Sequence, residues 1–96
     1  MNNDFNEIEY QSCNISNAML RNVNDNFISV SFDFLSNRDI IIKVVLKKKT
    51  VVEDSYIEDM IAEFTAVQKS DCVQNPLVEV GYQHAPLQNL VYQQES

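Results

Sequence analysis

The sequence predicts an α+β domain: an antiparallel sheet of about four to six strands with one main amphipathic helix, residues 54–68, packed on one face. Three observations predict it. Phe27–Leu35 alternates strictly, with Ile28, Val30, Phe32 and Phe34 on one side and Ser29, Ser31 and Asp33 on the other. Ile40–Leu46 has six aliphatic residues in seven, five of them β-branched, as a buried central strand requires. Ile57, Met60, Ile61, Phe64 and Val67 recur at helical spacing and form one apolar stripe.

The elements follow in order. Residues 1–4 are polar and expected to be loose. Between Phe5 and Ile15, Ile8 and Tyr10 alternate with Glu7, Glu9 and Gln11, which suggests a strand with one solvated face. Ser16–Val23 fits one or two helical turns or a strand, and a strand is preferred. Asn22–Asn26 is turn chemistry, because Asn and Asp side chains bond their own backbone. Ser36–Asp39 is a polar loop of hairpin length, so the strands around it should pair antiparallel. The polar side of the first of these strands is expected to be wetted.

Lys47-Lys48-Lys49 closes the second strand. It reads first as a charged end that discourages further pairing and second as a contact for phosphate. Ser55-x-x-Glu58 is a capping box for the helix, and Thr50-x-x-Glu53 offers a competing start one turn earlier. Leu77–Tyr82 alternates again, Gln83–Pro86 turns the chain, and Leu87–Tyr92 makes a last strand. Residues 93–96 form a polar tail. No repeat or linker divides residues 1–96, so one domain is expected. Its core should bring Phe32, Ile42, Val44, Ile61 and Phe64 together.

Composition removes several function classes. A hydrophobic fraction of 45% argues against disorder, and a single glycine (Gly81) argues against a phosphate-cradling loop. No apolar run approaches the ~20 residues of a membrane span, and no basic-then-apolar leader follows Met1. The expected compartment is therefore the cytoplasm, with Cys13 and Cys72 as free thiols. His84 is the one histidine, and neither cysteine has the cationic surroundings that would activate it. No metal-ligand spacing is present, and the oxygen-rich Asn22–Asn26 lacks the glycine and distal glutamate of a calcium loop. The expectation is a non-enzymatic protein with no cofactor.

The net charge of −7, from 14 acidic and 7 basic residues, disfavours nucleic acid and anionic lipid as partners and favours a basic protein. Glu53, Asp54, Glu58, Asp59 and Glu63 fall within eleven residues that contain no base. Like charges at helical spacing repel, and the positive helix start compensates Glu53, Asp54, Glu58 and at its limit Asp59, but does not reach Glu63. A face shaped only for stability would mix signs. These five residues are the expected partner-binding set, with Asp33 and Asp39 as extensions near the hairpin loop. Small, acidic and without catalytic groups, the chain has the character of the immunity proteins that block bacterial nuclease toxins, though no motif is matched residue by residue. The alternatives are a homo-oligomeric structural or chaperone-like module, a phage-type inhibitor of a nucleic-acid-binding protein, and a small-ligand domain with a pocket between helix and sheet.

Overall fold

The computed structural model describes residues 4–20 and 22–94. The elements are α1 (Asp4–Met19), β1 (Phe27–Phe34), β2 (Ile40–Leu46), α2 (Val51–Ala66), β3 (Leu77–Val80) and β4 (Asn89–Gln93). The α+β class holds, with two helices on a four-stranded sheet of order β3-β2-β1-β4. The sheet is mixed rather than purely antiparallel. β1 pairs antiparallel with both β2 and β4, while β3 lies parallel to β2. The reason is the crossover: α2 returns the chain along β2, so the following strand starts at the same end.

The two strands expected before residue 23 are a helix and a turn. Along α1 Gln11, Ile15, Ala18 and Met19 are buried and Glu7, Ile8, Ser12 and Asn14 half-buried, a helical stripe interrupted by polar residues at 7, 11, 12 and 14. Residues 1–3 and 95–96 of the expected loose ends lie outside the described residues. Asp4 opens α1, Gln93 belongs to β4, and the Gln94 amide donates to the Ile28 carbonyl at 2.8 Å.

The second helix starts before residue 54 and ends at Ala66. The Thr50 box wins over the Ser55 box: the Thr50 hydroxyl accepts from the Val52 amide at 3.2 Å, and the Glu53 carboxylate accepts from the Thr50 amide at 2.7 Å. Residues 51–53 have no β-ladder to join, so the earlier cap extends the helix by a turn.

One face of the sheet carries the core. Val30, Phe32, Ile42 and Val44 pack under Ile15, Ala18 and Met19 of α1 and Ile57, Met60 and Phe64 of α2. Phe32, Ile42, Val44 and Phe64 are fully buried, and Ile61 packs at the margin of this cluster. Val67, expected on the same stripe, caps the helix and is half exposed. A register shift between Phe27 and Ser29 leaves Ile28 as the extra residue. It places Phe27 rather than Ile28 in the core with Val30 and Phe32.

The other face is not wetted as expected. Since β3 and β4 sit on opposite edges, residues 81–88 must cross the sheet to join them, and they cross on the side away from the helices. The Leu87 amide donates to Ser31 Oγ at 2.8 Å, and Ser29, Ser31 and Val45 beneath are buried. Gly81 opens this crossing with φ 119°, where an added Cβ would meet the Gln83 side chain.

Candidate functional site: the two-helix layer

Both helices lie on the same face of the sheet and run in opposite senses. Gln11 and Gln68 join them at one end through reciprocal amide bonds of 2.9 and 3.0 Å. Beyond the C-terminal end of α1 Asn22 donates to the Ala18 carbonyl at 2.6 Å and to Glu63 at 3.0 Å. The outer surface of this layer carries acidic residues along α2 and in the first half of α1. α1 and α2 together contain eight of the chain's 14 acidic residues and none of its seven basic ones. The described bases lie elsewhere: Lys47, Lys48 and Lys49 beyond β2, Arg38 in the hairpin loop, Lys69 beyond α2 and Lys43 on the opposite face.

The five expected residues of α2 divide three ways. Glu53 is not part of the surface: it is 2% exposed and ties α2 to the preceding loop. Its carboxylate accepts from Thr50, from Asn24 at 2.7 Å and from Asn26 at 3.0 Å. The Thr50 side chain, then Asn24 and Asn26, lower its pKa from 4.5 to about 2. Helical spacing separates the other four into two pairs, one turn apart within each pair. Asp54 and Glu58 border a depression at the β3 side, lined also by Lys49, Asn75, Pro76 and Val78. Asp59 and Glu63 lie on the flank towards α1, where Asn22 reaches Glu63. Asp54 is partly neutralised by Lys49 at 2.9 Å in an exposed pair, a contact of ~0–1 kcal/mol. Glu58 and Asp59 are exposed with no base beside them on the helix.

Asp33 and Asp39 do not extend this set. The hairpin loop stands at the end of β2 opposite the start of α2, roughly 20 Å away along a strand of this length. There the Asp33 carboxylate accepts from the Phe34 amide at 2.9 Å. Asp39 accepts from Asn37 at 3.1 Å and from Gln74. Glu7 and Glu9 of α1 were missed, because reading residues 5–15 as a strand kept them away from α2. The stripe at 8, 11, 12, 15, 18 and 19 would have found them, had Gln11 and Ser12 been allowed as buried positions.

No protein-family model matches the chain, and no curated protein matches it.

Two further features have chemical content. Between α1, the hairpin and the end of α2 lies a cavity of about 420 Å³ lined by Tyr10, Gln11, Arg38, Gln68, Lys69 and Cys72, among others. Arg38 borders it in the left-handed region, φ 72°. His84 does not border this cavity. It lies 3.7 Å from Glu79 on the connection that crosses the other face. Both cysteines are free, Cys13 on the exposed side of α1 and Cys72 half-buried. Among the described residues, no group of three or more His, Cys, Asp or Glu side chains is placed to hold a metal ion. No described helix is long and apolar enough to cross a membrane.

Proposed function

We propose that this protein binds and neutralises a basic partner through its two-helix layer. The observation that carries the reading is the one-signed composition of that layer: eight acidic residues, one of them the buried Glu53, and no base across two adjacent helices. Such a surface attracts a cationic protein over several ångströms and raises its association rate. Glu58 and Asp59 form the centre of the proposed surface, Glu9, Asp54 and Glu63 its surround, and Glu53 holds the frame on which they stand.

The partner class we favour is a nuclease toxin, which makes this an immunity protein acting in the cytoplasm. A nuclease must carry a cationic groove for phosphates. An acidic helical layer competes for that groove without chemistry of its own. A phage-type decoy of a nucleic-acid-binding protein would use the same electrostatics. Affinity capture from the source cell distinguishes them by the partner's identity. The expected partner is basic, has nuclease activity that this protein inhibits, and is released by salt. Capture of an acidic or neutral partner that withstands high salt would refute the proposal.

A further inference from the structure

Two of the chain's seven basic residues, Arg38 and Lys69, border the same cavity. The fold brings them there from different elements, Arg38 from the hairpin loop and Lys69 from beyond the end of α2. α1 supplies the third side with Tyr10 and Gln11. The volume of about 420 Å³ falls within the roughly 300–1,000 Å³ of small-molecule sites.

The neutral part of this lining is complete in itself. Gln11 and Gln68 exchange amide bonds of 2.9 and 3.0 Å, and Gln68 also donates to the Phe64 carbonyl at 3.4 Å. The segment at Cys72 is fixed to β2, since the Cys72 carbonyl accepts from the Ile40 amide at 2.8 Å. The cations are not engaged in the same way. Among the described residues, ion pairs form at Lys49 and His84, and neither Arg38 nor Lys69 has a carboxylate within 4.0 Å. Glu7, which also borders the cavity, accepts from the Gln11 amide at 2.9 Å. Asp33, on an adjoining depression that Arg38 also borders, accepts from the Phe34 amide at 2.9 Å.

Lys69 is accounted for by the helix end behind it, where a cation suits the dipole. Arg38 is not accounted for by its turn. Its φ of 72° is the left-handed region, where glycine or asparagine is the ordinary residue and a long side chain costs stability. Here that backbone cost is kept at a residue whose guanidinium stands exposed beside a cavity.

We infer that this cavity binds a small organic phosphate, its phosphate group held by Arg38 and Lys69 and its apolar body resting on Tyr10 and Phe34. The number of cations selects phosphate over carboxylate. A single guanidinium fork already matches both oxygens of a carboxylate. A phosphate monoester offers three terminal oxygens and a charge of about −2, enough for the fork and the ammonium together. This site is separate from the acidic layer, and neither reading rests on the other.

The test is an amide NMR titration of the full chain with phenyl phosphate, and with benzoate, phenol and inorganic phosphate for comparison. Phenyl phosphate should give saturable shifts at residues 10, 38 and 68–72. Benzoate and inorganic phosphate should bind more weakly, and phenol should leave the spectrum unchanged. Arg38→Gly is the decisive variant, because glycine suits a φ of 72° and the fold should keep its circular dichroism spectrum and thermal midpoint. It should weaken phenyl phosphate by about tenfold or more, and Lys69→Gln by a smaller factor. Phenyl phosphate should also slow alkylation of the half-buried Cys72 by iodoacetamide while the exposed Cys13 reacts as before. Shifts that never saturate, or that centre on Lys47, Lys48 and Lys49, would overturn the proposal. So would an Arg38→Gly variant that binds as wild type does, or benzoate binding tighter than phenyl phosphate. None of these variants alters Glu58 or Asp59, so failure here leaves the acidic layer to its own test.

Discussion

Glu53 shows how one side chain can leave a charged surface and become part of the frame. Its carboxylate collects the Thr50 amide and hydroxyl together with the Asn24 and Asn26 amides, so ionisation is favoured in the folded state. The folded pKa of about 2 lies below the ordinary 4.5, so the unfolded chain takes up the proton first as pH falls. The contribution of Glu53 to stability is therefore complete above pH 4.5 and is lost as pH drops through about 2. Urea unfolding of wild type and Glu53→Gln should differ most at neutral pH, and the gap should close across that window. A gap that stays constant into acid would mean that ionisation of Glu53 contributes nothing. Phe64, fully buried on the core-facing side of α2, supplies the apolar counterpart. Phe64→Ala should lower unfolding free energy by about 3–5 kcal/mol, as large-to-small core changes do, and a loss under about 1 kcal/mol would be incompatible with its burial. The Thr50-x-x-Glu53 box was legible as a pattern. The asparagines that complete it were legible only as a turn, because nothing local says that a turn faces a helix start 27 residues later.

At the scale of elements, β1, β2 and the core stripe of α2 were legible because each shows an unbroken period. α1 was not, because its buried stripe passes through Gln11 and Ser12, and Gln11 is 3% exposed. A buried glutamine is tolerated only when satisfied. Gln11 is satisfied by Gln68 across the helix pair, by Glu7 at 2.9 Å and by Asn14 at 3.1 Å. A partner 57 residues away cannot be read from local periodicity. Gln11→Ala should cost about 1–3 kcal/mol, because it leaves Gln68 without its reciprocal amide. A double-mutant cycle with Gln68→Ala should return a coupling above about 0.5 kcal/mol. Strict additivity of the two changes would show that the amide pair does not join the helices. The parallel strand β3 escaped for a related reason: its four residues read equally well in either direction.

For the molecule as a whole, the architecture separates surfaces by chemistry. The two helices carry eight of the 14 acidic residues, Lys47, Lys48 and Lys49 follow the end of β2, and residues 80–94 carry no Asp, Glu, Lys or Arg. The acid cluster on α2 was visible as a run of like charge, but not its division into two flanks, nor its extension onto α1, nor the loss of Glu53 to the interior. Each of these depends on how the helices pack. The proposed function now rests on Glu58 and Asp59, which are exposed and whose substitution should change stability by only about 0.5 kcal/mol. Glu63 is better left intact, since it receives Asn22.

The most direct measurement is the association rate of the partner captured from the source cell with wild type and with Glu58→Lys/Asp59→Lys, at low and at high salt. Steering by the acidic layer requires that the double change and the added salt each slow association of wild type by roughly tenfold or more. The salt effect should also shrink in the double variant. An association rate unchanged by both would contradict a basic partner docking on the two-helix layer.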